Sequence, residues 1–272
     1  AQLRQQLPGV LPDYQNQQLS SYRYIDERTW GDDDLYHFAP DAIEQILRCP
    51  GQEVGTHTFS HYYCLEEGQT IESFRADLRA AVEVAKGVGI PTTSLVFPRN
   101  QANPAYLPVL DELGIACYRG NERMSFYKPR NQQGQSPLVR ALRLLDTYIN
   151  LSGHNTYSLE ECARSRPFDI PASRFLRPCS RSLAPLESLR LHRIKRAMHE
   201  AATENRLFHL WWLPHNFGAD VKRNLDFLRK ILIHYDQLRQ RHGMQSRNMG
   251  EVAALLWAAE ASIYGNLGYG PT

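Results

Sequence analysis

The feature that most constrains this chain is a repeated alternation of short apolar segments with amphipathic stretches. Ser94 to Phe97 (SLVF), Ile115 to Tyr118 and Leu207 to Trp212 (LFHLWW) are too short for helices and apolar enough to be buried strands. Glu53 to Thr56 and Met244 to Arg247 read as further short strands, and Asp169-Ile170 as a strand end before Pro171. Helical spacing fills the intervals. Pro40 to Cys49 carries Ala42, Ile43, Ile46 and Leu47 on one side, with Gly51 as a stop. Thr70 to Gly89 places Phe74, Leu78, Ala81, Val82 and Ala85 on one face. Asn103 caps a helix with Pro104 at its first position, running to Gly114. Pro137 to Leu151, Leu186 to Glu204, Val221 to Arg241 and Glu251 to Ala261 complete the set. In the Val221 helix, Leu225, Leu228, Ile231, Leu232 and Leu238 are expected inside.

This order predicts parallel β/α units, an α/β fold whose repetition suggests a barrel or distorted barrel. Periodicity alone does not separate that from an open sheet. Residues 1–272 read as a single domain, since no linker divides them, with 1–38 irregular and Asn131 to Ser136 a polar surface loop. In β/α barrels, function gathers where strands end at their C-terminal edge.

The composition narrows the function classes. A net charge of +2 gives no reason to expect nucleic acid or an anionic membrane as partner. No apolar run approaches the roughly 20 residues of a membrane span. The five cysteines are widely spaced without a C-x-x-C pair, which argues against a structural zinc site or a disulfide framework. Reduced thiols in a cytoplasmic protein are the simpler expectation. The first residues, AQLRQQLPGVLPDY, show no signal-peptide apolar region. Nothing in the sequence speaks to oligomeric state.

Three segments carry chemistry. In GTHTFSHYYC (55–64), His57 and His61 are four apart, so on one turn of helix both imidazoles could reach one ion. Imidazole suits zinc, cobalt, nickel or iron. The bland reading has His57 capping a strand and His61 on a helical face. A metalloprotease H-E-x-x-H site is excluded, because Thr58 stands where the glutamate would. In LVFPRNQANP (95–104), Arg99 just past a strand can orient a carboxylate or bind substrate oxygens, or form an ordinary surface salt bridge. Asn100 beside it is a further substrate-contact candidate. In FHLWWLPHNFG (208–218), His215 has the chemistry of a general acid, and His209 within the strand reads as a packing residue. Trp211 and Trp212 alternate faces, so one can line a sugar-binding surface or both can be core.

Together these segments resemble the polysaccharide deacetylase family, the NodB-homology or carbohydrate esterase type. GTHTFSH matches its H-[ST]-x-x-H metal motif through His57, Thr58 and His61. FPRNQANP is loosely similar to its R-x-P-x-G segment through Arg99, and WWLPH places His215 at its acid histidine. The likeness spans roughly residues 40–260 and is closer to a subgroup from bacterial exopolysaccharide clusters through GTHTFSHYYC, SLVFPRNQ and HNFG. It implies a distorted seven-stranded (β/α) barrel, a divalent metal (zinc foremost) and an acetylated carbohydrate substrate. It also implies a strand ending in Asp-Asp, which supplies the base and third ligand. No apolar strand with such a pair precedes residue 53, and Asp32-Asp33-Asp34 follows the unpromising Thr29-Trp30-Gly31. The expectation is therefore that the first strand and its aspartates lie upstream of Ala1. Two ligands would then give this chain weak metal affinity and little turnover. Asp169 is a candidate remnant of the family's aspartate–tryptophan motif, and Arg174 and Arg177 are candidates to touch substrate.

The implied reaction is hydrolytic removal of an N- or O-acetyl group. Water is activated at the metal, Arg99 positions the base carboxylate, and His215 protonates the leaving group. Two alternatives stay open: a carbohydrate-binding homologue without catalysis, and a related barrel hydrolase acting on non-peptide C–N bonds of a small molecule. The basic stretch LRLHRIKR (189–196) reads as a solvated helix face.

Overall fold

The computed structural model of the chain describes residues 7–25 and 40–266. The Asp32-Asp33-Asp34 run lies outside the described residues. In chain order the elements are α1 (Tyr22–Ile25), α2 (Pro40–Leu47), α3 (Ile71–Gly87), β1 (Ser94–Val96), α4 (Leu107–Glu112), β2 (Cys117–Arg119) and α5 (Pro137–Tyr148). They continue with α6 (Leu159–Cys162), β3 (Phe168–Asp169), β4 (Arg174–Phe175), α7 (Glu187–Thr203), β5 (Leu210–Trp211), α8 (Pro214–Phe217), α9 (Val221–His242) and α10 (Met249–Asn266).

The strands are short and parallel. β1 pairs with β2, β2 with β3, and β4 with β5, while Thr56 adds a parallel bridge to Leu95. β3 and β4 are successive halves of one extended segment. Its first half bonds back to β2 through Ile170 N to Tyr118 O and Ala172 N to Gly120 O. After Pro171, the second half bonds to the β5 segment through Ser173 N to His209 O and Leu176 N to Trp211 O. The result is a parallel array in the order Thr56, β1, β2, β3/β4, β5.

The α/β expectation stands at that level. Among the described residues no ladder joins the Thr56 segment to β5, and these strands do not by themselves close a barrel. Two expected strands are not ladders. Glu53–Thr56 is reduced to the Thr56 bridge, and Met244–Arg247 forms no ladder among the described residues. β4, unforeseen, depends wholly on β5 for its pairing.

Helix ends follow their local chemistry. Thr70 caps α3 by accepting from Ser73 N, with the serine side chain returning the bond. Gly243 ends α9 in the left-handed conformation that glycine adopts without penalty. α3 buries Phe74 and Leu78 against Leu95, Phe97 and Tyr106, each apolar side chain contributing about 1.5–3 kcal/mol. α9 packs on α7 through Ile231 and Leu238 against Ile194 and Met198. Leu225 and Leu232, expected inside, are exposed, because α9 is covered on only one narrow face. The apolar side of α2 is likewise exposed at Ile43, Ile46 and Leu47.

The basic stretch on α7 is not a solvated face. Arg190 and Arg193 are buried. Arg190 lies over the Phe227 ring at 3.8 Å and pairs with Glu187. Arg193 reaches across to Asp146 at 2.6 Å.

Asp146, at the end of α5, is a fully buried hub. It accepts from Arg174 Nη1 (2.8 Å), Arg193 Nη2 (2.6 Å), Tyr127 Oη (2.9 Å) and Ser152 Oγ (2.8 Å), and from Leu151 N and Ser152 N. Burial pushes its pKa up, but Arg174 and Arg193 outweigh burial and hold it below the ordinary carboxylate value. This hub ties α5, β4, α7 and the Tyr127 loop together.

Candidate functional site

The candidate residues gather at the C-terminal ends of the parallel strands, the edge where such sheets place their sites. The first is His57, directly after Thr56. The Thr56 segment lies so close to β1 that a Cβ on Gly55 would sit 2.5 Å from Ser94 Oγ, so any larger residue would displace that side chain.

His57 and His61 do not share a helix, contrary to the helical-turn expectation. The chain from 57 to 61 is a loop with Thr58 at φ 66° and His61 at φ 59°. Three side chains impose it. Thr58 Oγ1 accepts from Tyr62 N at 2.7 Å, which gives the threonine of the motif a structural task. Thr56 Oγ1 accepts from Thr58 N. Asp77 of α3, fully buried, accepts from Phe59 N at 2.8 Å, Tyr22 Oη at 2.7 Å and the Ser60 hydroxyl. The loop brings the rings to 4.7 Å between centroids, the proximity the motif suggested, by a different route.

His57 Nδ1 lies 2.6 Å from Val96 O. A carbonyl only accepts, so Nδ1 carries the proton and Nε2 keeps its lone pair. Desolvation lowers the pKa of both rings, His61 to about 4 with His57 and Arg99 adding to it. Two neutral imidazoles, one oriented by a backbone carbonyl, fit two places of a zinc-type divalent ion. Among the described residues, no group of three or more His, Cys, Asp or Glu side chains is arranged to hold a metal.

Arg99 follows β1 in a turn where it and Asn100 both take the left-handed conformation, at φ 52° and 55°. Its guanidinium lies 4.4 Å over Tyr63, whose ring meets His61 at 5.1 Å. Glu66 is 4.0 Å away, a loose pair on a part-exposed side chain. Arg99 is thus a bridge from the histidines to a neighbouring cleft of about 160 Å³.

Five of the expected site residues line that cleft: Arg99, Asn100, Arg174, Arg177 and Trp211. Two of them are engaged in ways the sequence did not reveal. Arg174, only 3% exposed, is held by Asp146, so its guanidinium is largely committed to the protein. Trp211 is tilted against Phe175 at 4.4 Å and receives Arg119 at 4.0 Å, so one face is already covered. Trp212 is the more exposed of the pair and stacks on Phe217.

The structure adds two residues at the end of β2. Arg119 donates to Asn100 Oδ1 at 2.7 Å while lying over Trp211, and burial lowers its pKa to about 10. Glu122 is buried and lines the cleft, and burial raises its pKa to about 7. In the sequence both sit in CYRGNERM, where nothing distinguishes them from surface charges. Asp169, the candidate remnant, is in β3 beneath Gly120, where a Cβ would meet its Oδ1 at 1.8 Å. Burial raises its pKa to about 6.

His215 stands on the single-turn helix α8 with an exposed side chain. Among the described residues, no contact joins it to His57, His61 or the cleft lining. His209 is the packing residue expected: its Nδ1 lies 3.3 Å from Ile170 O, and desolvation lowers its pKa to about 4.

All five cysteines are free. Among the described residues, no helix is long and apolar enough to cross a membrane. No protein-family model, curated protein or solved structure matches the chain.

Proposed function

We propose that this protein is a metal-dependent deacetylase acting on an acetylated saccharide, with His57 and His61 as two of its metal ligands. The observation that carries the reading is the oriented pair of neutral imidazoles at a strand end. His57 Nδ1 is fixed by Val96 O and His61 lies 4.7 Å away between ring centroids. The motif's threonine holds the loop that presents them.

A divalent ion bound there supplies Lewis-acid activation of water and of an acetyl carbonyl. The protein's own residues supply the rest. Desolvation keeps both imidazoles unprotonated and available at neutral pH. Asp77 fixes the loop, so the two rings are not reorganised when a ligand arrives. Arg99 lies between the histidines and the cleft, where its planar fork can orient a carboxylate or a sugar oxygen. Asn100 and Trp211 offer the cleft a polar and an aromatic contact. His215 is assigned protonation of the leaving group from the motif resemblance alone.

The fold half of the proposal is a distorted seven-stranded barrel. Five parallel segments follow one another in chain order, and the open interval lies between the Thr56 segment and β5.

The test is acetate release by the full chain from N-acetylated chito-oligosaccharides and O-acetylated xylo-oligosaccharides. Zinc or cobalt is added, with a chelator control. The reading expects slow release at high metal concentration that needs the metal and is abolished in His57→Ala and His61→Ala. Release that is indifferent to chelator and to both substitutions would refute it.

A further inference from the structure

The cleft beside the histidines has an unusual charge balance. Six cations line it: Arg99, Lys128, Arg130, Arg143, Arg174 and Arg177. One acid, Glu122, faces them, and burial raises its pKa to about 7, so it carries only part of a negative charge near neutral pH. Arg174 is matched by Asp146, and Arg99 has its loose pair with Glu66. Among the described residues, the remaining four have no carboxylate within ion-pair distance.

Three of those four are not simply a solvated fringe. Arg143 is fixed by donating Nε to Phe126 O at 2.7 Å and Nη1 to Gln135 at 3.1 Å. Arg130 donates Nη2 to Ser125 O, and its buried Nε has no partner. Arg177 lies against the Phe175 ring. After burial, part of the downward pull on Arg143 is repulsion from Arg130 and Arg177, so the three guanidinium groups feel one another. Two more donors at this cleft are buried and unpartnered, Arg174 Nε and Trp211 Nε1. Holding like charges together around unsatisfied donors is unfavourable. An oxyanion that accepts from planar guanidinium forks relieves both costs.

We propose that this cleft binds an oxyanion group, a carboxylate or phosphate, carried by the saccharide, so that the substrate class is an acidic glycan. This deepens the deacetylase reading and rests on it for the word substrate. The cleft's preference for an anion stands on its own geometry. Arg99 connects the two parts, because it lines the cleft and touches the Tyr63 ring that packs on His61. An acidic residue in the cleft would leave its neighbouring sugar toward the histidines.

The test is calorimetric titration of the full chain in chelator, so that no metal contributes. The probes are trigalacturonate, its fully methyl-esterified neutral counterpart, and glucose 6-phosphate. Trigalacturonate or the sugar phosphate should bind at least about tenfold more tightly than the ester, as charge-assisted contacts require. The double variant Lys128→Gln/Arg177→Gln should weaken the charged probe roughly tenfold or more and leave the ester unaffected. Lys128 is exposed and the Arg177 guanidinium lies 5.9 Å from the Phe175 ring centre with no ion pair among the described residues, so the variant should keep the parent's unfolding midpoint. Preference for the phosphate over trigalacturonate assigns the oxyanion as phosphate, and the reverse assigns it as carboxylate. Equal binding of charged and neutral probes, no binding of any probe, or an unchanged affinity in the double variant overturns the proposal. Anion binding together with acetate release that is indifferent to chelator and to the histidine substitutions would instead refute the deacetylase reading and leave the anion site standing.

Discussion

Asp77 tests whether the histidine loop is held as described. Its carboxylate accepts from Tyr22 Oη at 2.7 Å, Phe59 N at 2.8 Å, the Ser60 hydroxyl, and more weakly Ser60 N at 3.4 Å. Asp77→Ala leaves three good donors without an acceptor in a buried site. Each costs about 1–3 kcal/mol, and with partial hydration the sum is about 3–5 kcal/mol. Thr58 and His61 sit in left-handed conformations at about 1–2 kcal/mol each. Without Asp77 the loop should relax and separate the two rings. Asp77→Asn is the informative partner. Its amide oxygen still accepts from the backbone N–H groups, and its NH₂ can donate to the two hydroxyls. It should cost about 1 kcal/mol. Urea unfolding followed by circular dichroism measures both, at constant slope. An alanine variant within about 0.5 kcal/mol of the parent, or an asparagine variant as unstable as alanine, would refute this description of the loop.

Other outcomes follow from the buried carboxylates. Asp146→Ala strands Arg174 and Arg193 in the interior and should cost about 3–5 kcal/mol in the same urea assay. Asp146 has a folded pKa below its ordinary value of 3.8, so its contribution is present above about pH 4 and is lost as pH falls through the lower folded value. The alanine variant should therefore lose part of the parent's acid-unfolding transition. Glu122 has the opposite sign. Its folded pKa is raised from 4.5 to about 7, so the folded state binds the extra proton between those values. Stability from this group then falls by about 3 kcal/mol as pH rises through that window. Glu122→Gln should flatten the decline, and equal pH slopes in both proteins would show that Glu122 titrates normally.

The elements legible in the sequence were those whose signals are local. The α3 face, the Asn103-Pro104 start and the glycine stops need only neighbours a few residues away. The β1 and β2 strands were legible because Leu95 and Cys117 are buried on both sides of a parallel array. What escaped depends on distant partners. β4 exists through β5, some 36 residues on, in the pairing of Arg174 with Leu210. Arg193 is buried because Asp146 waits 47 residues earlier, so a basic helix that looked solvated is partly internal. The His57/His61 proximity was read correctly from spacing but for the wrong backbone, since i and i+4 meet here across a loop. Arg119 and Glu122 follow β2 with no motif around them. Only the three-dimensional closeness of Asn100, Trp211 and the cleft marks them out.

The most direct test of the metal-site reading is calorimetric titration of zinc into the chain and into His57→Ala and His61→Ala. The expected result is one saturable site of modest affinity, lost in each variant while their unfolding midpoints stay near the parent's. Zinc binding that survives both substitutions, or an intact chain that takes up no zinc at millimolar metal, would contradict it.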